Sequence, residues 1–133
     1  MIVTTLTYAG ILGLVMALLS IRVPMRRATL NAPWGDGDDD ILATRVRVFG
    51  NFIEYVPYVV LLMGLVELSG GQQSTLHFCG LSLVVARLLH AVALHRRDDA
   101  IWRKLFRAVG AMTTWLVLLS LAVYALMLGV PQQ

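Results

Sequence analysis

Four long apolar runs divide the 133-residue chain, each bounded by charged or turn-forming residues. The first, over residues 2–22, is almost continuously apolar and matches the ~20 residues that a helix needs to cross a hydrocarbon core. It runs into Arg22, Pro24, Arg26 and Arg27, which suits a helix leaving the lipid for the headgroup region near Pro24. Residues 29–41 carry Pro33, Trp34, Gly35, Gly37 and four aspartates, a loop composition with Trp34 as an interface anchor. The pattern predicts a second helix over residues 41–68, capped by one of the late aspartates. Pro57 falls inside this helix and leaves the Ile53 carbonyl without its helical donor, so a kink is expected there. The short turn Leu68-Ser69-Gly70-Gly71 predicts that the third helix, residues 75–95, returns antiparallel beside the second. His95-Arg96-Arg97-Asp98-Asp99 forms a charged turn in which Asp98 or Asp99 can cap a fourth helix, residues 100–130, ended by Pro131.

Composition turns this pattern into a class. A chain that is 58% hydrophobic, only 14% charged and of mean hydropathy +0.74 is too apolar for a soluble domain of its length. The expected fold is all-α: an integral membrane four-helix antiparallel bundle forming one membrane domain over residues 1–133. The first run lacks a basic n-region and a small-residue cleavage site, so it reads as a retained span. Cys79 has no second cysteine to pair with and sits in an apolar stretch, where packing is its expected role.

Charge then orients the bundle. All ten arginines and the one lysine lie in or beside the first and third connections. The net charge of +3 therefore reports topology rather than a nucleic-acid partner, and the positive-inside rule places both termini outside and the basic end in the cytoplasm.

One stretch breaks the apolar pattern in a regular way. Arg47, Asn51 and Glu54 enter the second span at offsets of four and seven, which puts them on one helix face with Gly50 and Tyr58 beside them. Polar groups at such depth are expensive unless they are paired or functional. Either Arg47 and Glu54 satisfy each other or other arginines, or the face binds a ligand. On the third helix Arg87 and His90 lie three residues apart on neighbouring parts of a face. His77 is on the opposite side, no second histidine stands at ligand spacing, and no metal is expected. Asp36, Asp38, Asp39 and Asp40 lack the spacing of a calcium-binding hand. A cleft with several guanidiniums, one carboxylate and one amide suits a ligand with two carboxylates and an amine. Its positive charge also favours a thiolate over a thiol.

The run Arg47-Val-Phe-Gly-Asn51-Phe-Ile-Glu54-Tyr55-Val-Pro57 resembles the second-helix signature of the MAPEG family, the membrane-associated proteins of eicosanoid and glutathione metabolism. The pair Arg26-Arg27, the loop Gly35-Asp36-Gly37, the segment Ala86-Arg87-Leu-Leu-His90-Ala and the run Arg107-Ala-Val-Gly110 are similar to the small bacterial branch of that family. The resemblance implies a homotrimer in the bacterial inner membrane, with glutathione as co-substrate in inter-subunit clefts open to the cytoplasm. It implies Arg47, Asn51, Glu54 and Tyr55 as glutathione ligands, joined by Arg26, Arg87, His90 and Arg103, with Arg27 and Arg107 in catalytic roles. The partners expected are membrane lipid and a hydrophobic electrophile or lipid hydroperoxide. Where the eicosanoid synthases carry tyrosines on the third helix, this chain has His90 and Leu94. Two other functions fit four short spans with a polar row: a proton-coupled multidrug transporter using Glu54, and a lipid-binding family member without catalysis.

Overall fold

The computed structural model describes residues 1–35, 37–93 and 100–130. The described residues form four helices: α1 (Val3–Leu30), α2 (Asp40–Leu68), α3 (Gln73–Ala93) and α4 (Ile101–Gly129). Each is long and apolar enough to cross a membrane. They alternate in direction. Glu67 at the end of α2 meets Thr4 at the start of α1, and Tyr124 near the end of α4 accepts a hydrogen bond from the Gln72 amide just before α3. The basic ends of all four helices therefore gather at one end of the molecule. The predicted charged turn from His95 to Asp99, Leu94, Asp36 and Pro131 lie outside the described residues.

The first helix is longer than the apolar run that defines it. It continues through Pro24 to Leu30, where the sequence pattern suggested an end near residue 22. Proline removes one backbone donor but does not forbid continuation when the freed carbonyl finds other partners, and the chain that follows supplies its own stop. Asn31 takes a left-handed conformation with φ 50, a role in which asparagine substitutes for glycine at helix C-termini. Arg27 in the last turn donates to the carbonyls of Ala32 and Pro33 at 3.4 and 3.2 Å, closing the end further.

The second helix starts as the sequence suggests. Asp39 is its N-cap, and its Oδ1 accepts from the Leu42 amide at 2.6 Å. The same carboxylate takes a two-pronged pair from Arg26, with Nε to Oδ1 at 3.1 Å and a terminal nitrogen to Oδ2 at 2.6 Å. One aspartate thus caps α2 and fastens it to the end of α1. At its other end α2 closes in a Schellman motif: the Gly71 amide reaches the Val66 carbonyl, the Gly70 amide reaches that of Glu67, and Gly70 adopts φ +83.

A second fastening had no clear signal in the sequence. Glu67 is 7% exposed, and its carboxylate accepts from the free first-turn amides of Thr4 at 2.9 Å and Thr5 at 2.7 Å and from Gln73 Nε2 at 3.2 Å. Since Ile2 offers no capping side chain, α2 supplies the cap that α1 lacks.

The core draws on all four helices, Leu12 and Leu19 of α1 included, with Val59, Met63, Leu76, Leu83 and Leu121 fully enclosed. α3 packs most extensively against α4 and α1 against α2, whereas the α2–α3 pair joined by the short turn touches less. Two glycines set the closest approaches. The Tyr8 ring lies over Gly80 where a Cβ would stand, and a Cβ on Gly110 would sit 2.7 Å from the Ala86 carbonyl. The outward faces of α1 and α4 remain apolar and exposed, as surfaces against lipid or further protein do.

Candidate functional site

The polar row of α2 opens onto a cleft of about 790 Å³ at the basic end of the bundle. It is lined by Ala43, Val46, Arg47, Gly50, Asn51 and Glu54 from α2, with Arg27 from α1 and Gly35 from the loop between them. The α2 positions repeat at steps of three and four, so they form one stripe of the helix. Gly50 has open space where a side chain would begin, which leaves the floor of the cleft bare between Arg47 and Glu54. The volume falls within the range of small-molecule sites, roughly 300–1,000 Å³.

Arg47 and Glu54 do not pair with each other, nor with another described side chain. Both are exposed in the single chain. Among the described residues, then, Arg47 and Glu54 satisfy neither each other nor another arginine. The cleft instead presents two guanidiniums and a carboxylate, the mixed-charge set that suits a zwitterionic or multiply charged ligand.

Asn51 joins the cleft to a second group of polar residues on the inner side of α2. Arg87 on α3 is 3% exposed, and one of its terminal nitrogens donates to Asn51 Oδ1 at 3.0 Å and to the Asn51 carbonyl at 3.2 Å. Tyr55, next to Glu54 on α2, is half-buried. His90, one turn along α3, is 6% exposed and packs where Gly110 lets α4 approach. Arg107 on α4 is exposed.

The remaining predicted residues stand elsewhere. Arg26 is engaged with Asp39 rather than aimed into the cleft. The Arg26 guanidinium beside Asp39 holds that carboxyl below its usual range, so the pair is ionised at neutral pH. Arg103 stacks on Trp102, 4.4 Å from the ring centroid, and lines a separate groove of about 390 Å³ with Val15, Leu18, Leu19, Arg22, Leu88, Ala91 and Val92. Within one chain, then, the fold gathers Arg27, Arg47, Asn51 and Glu54, links Arg87 to them through Asn51, and leaves Arg26, Arg103 and Arg107 outside the cleft. Arg45 donates to the Arg22 carbonyl at 2.8 Å and so ties α2 to α1. Ala43, Val46 and Gly35 line the cleft without having been singled out as ligands. Their signal was positional, since Ala43 and Val46 fall one turn before Arg47 and Gly50 on the same stripe.

Comparison with known proteins bears on this arrangement. A family model described as "MAPEG family" matches residues 5–127. The inner membrane protein YecN of Escherichia coli K12 is 32% identical over 112 residues, which cover 84% of this chain and 82% of that protein. YecN of Escherichia coli O6:H1 matches to the same extent. No solved structure matches. A family model spanning nearly the whole chain, a relative similar over most of its length, and four membrane-length helices with the polar row on the second agree: this chain belongs to the MAPEG family.

Proposed function

We propose that the protein binds glutathione in the α2 cleft and holds it as a thiolate for reaction with an apolar electrophile or lipid hydroperoxide. The observation that carries this reading is the cleft itself, where Arg27, Arg47, Asn51 and Glu54 converge and neither Arg47 nor Glu54 is paired with another described side chain. Glutathione carries two carboxylates and one ammonium. Guanidinium forks suit the first two, and the Glu54 carboxylate suits the third. The chemistry glutathione supplies is a sulfur nucleophile: with an electrophile the sulfur bonds to carbon, the leaving group departs with its electron pair and the thiol proton passes to water. With a hydroperoxide the sulfur takes the outer oxygen, the alcohol departs and a second glutathione converts the sulfenic acid to disulfide and water. The protein contributes cations that favour the charged sulfur, and a fixed orientation.

Arg107 lies outside the cleft of its own chain, and the exposed apolar faces of α1 and α4 leave room for neighbouring subunits. In a homotrimer a neighbour's α4 would complete the cleft, with Arg107 or Arg103 facing the sulfur. The basic end would face the cytoplasm and both termini the outer side. A catalytically silent lipid-binding role and proton-coupled export through Glu54 are the competing readings. The cations beside Glu54 oppose the export of cationic compounds.

Calorimetric titration of the purified protein with glutathione tests this directly. Binding is expected, and Arg47→Ala or Glu54→Gln should each weaken it roughly 10- to 100-fold, as loss of a charge-assisted hydrogen bond does at about 1.5–3 kcal/mol. Absence of binding to the wild type, or unchanged affinity in both variants, contradicts it.

A further inference from the structure

Arg87 is a guanidinium carried inside a membrane helix and shielded from solvent, a placement that demands a return. No carboxylate of the described residues lies within ion-pair distance of it, and its Nε has no partner among them. What it holds is Asn51, gripped at both the side-chain oxygen and the main-chain carbonyl. The chemistry of the contact fixes the asparagine's orientation. Guanidinium nitrogens only donate, so the amide must turn Oδ1 toward Arg87, because the reverse would oppose donor to donor. Asn51 also lines the open cleft between Arg47 and Glu54. With Oδ1 turned toward Arg87 on α3, the part of the side chain left to face the cleft is the NH2 group with its two donors.

We propose that Arg87 is a positioning residue that locks the Asn51 amide and so makes this part of the cleft a donor-only surface, selective for a carboxylate over a carboxamide. The identity of the ligand rests on the glutathione reading above; the lock does not. Without it the amide is free to flip, and a neutral carboxamide, which needs an acceptor as well as a donor, becomes as acceptable as a carboxylate. Arg87 thereby sets specificity without touching the ligand.

Two readouts test this on the full-length protein in detergent. Asn31 and Asn51 are the two asparagines of the sequence, so asparagine-selective nitrogen-15 labelling yields two side-chain amide signals. The Asn51 signal should differ from that of exposed Asn31 in the wild type, keep its position largely in Arg87→Lys, and move toward the Asn31 signal in Arg87→Met. An unmoved signal in Arg87→Met overturns the lock. Separately, glutathione should bind the wild type at least tenfold more tightly than one of its two monoamides, made at either carboxylate. That ratio should fall toward one in Arg87→Met and recover in Arg87→Lys. Equal weakening of all ligands with the ratio preserved marks a merely structural arginine and overturns the proposal. Asn51→Asp keeps a partner for Arg87 but removes the donors, so it should fold like the wild type and lose at least tenfold in glutathione affinity. Wild-type affinity in this variant also overturns the proposal. If the wild type binds no glutathione while the Asn51 signal still responds to Arg87→Met, the lock is supported and the ligand assignment falls.

Discussion

At the scale of single residues, several polar side chains act as fasteners between helix ends, and each predicts a distinct failure. Glu67 satisfies two first-turn amides of α1 that have no other cap. Glu67→Ala should cost roughly 1–3 kcal/mol, the usual penalty for leaving buried donors unmet, and thermal unfolding in detergent measures it. Asp39 performs two jobs that can be separated, because asparagine caps a helix as well as aspartate does. Asp39→Asn should therefore keep the cap and lose only the ion pair with Arg26. The Asp39 carboxyl is depressed in the folded state, chiefly by Arg26. Its contribution is complete above the unfolded value of about 3.9 and is lost as the pH falls through the lower folded value. The melting-temperature gap between wild type and Asp39→Asn should thus be constant from neutral pH down to about 5 and close below about 4. A gap that persists at the acidic end would show that something other than this pair stabilises the junction.

At the scale of elements, the helix contacts rest on small residues whose substitutions have opposite expected signs. A Cβ at Gly110 would press on the Ala86 carbonyl, which is backbone and cannot swing away, and one at Gly80 would meet the Tyr8 ring. Alanine gains about 1 kcal/mol over glycine inside a helix, but overpacking costs about 1–3 kcal/mol, so Gly110→Ala should destabilise. Gly10 and Gly13 in α1 face open space, so alanine there should stabilise by several tenths of a kcal/mol to about 1. Melting temperatures of the three variants check the contrast. The same elements show what could be read in advance. The four spans and the shared face of Arg47, Asn51 and Glu54 were legible because apolar length and a 3.6-residue period are local properties. The extension of α1 through Pro24 was not, since Asn31 and the Arg27 hydrogen bonds decide it. Nor was the use of Arg26, which the family resemblance casts as a glutathione ligand and the fold sets against Asp39. Arg87 was legible as unusual but not as the partner of Asn51, because a sequence does not state which acceptor a buried guanidinium finds across two helices.

At the scale of the whole molecule, alternating helices collect the basic residues at one end and the cleft opens there. If that end faces the cytoplasm, a periplasm-dependent phosphatase fused after the last residue should be active and a cytoplasm-dependent fluorescent protein dark; the reverse pattern would invert the proposed topology. A trimer that shares clefts should also lose activity when Arg107 is replaced, and regain part of it in mixed assemblies where Arg47→Ala and Arg107→Ala subunits meet, because some clefts then draw both arginines from intact copies. This end of the molecule is proposed to turn glutathione into a thiolate. Ultraviolet difference spectroscopy of glutathione with the purified protein at neutral pH measures that species. A saturable thiolate band is expected, which Arg47→Ala abolishes or shifts to much higher glutathione concentration. A spectrum that stays at the level of free glutathione at saturating protein would contradict it.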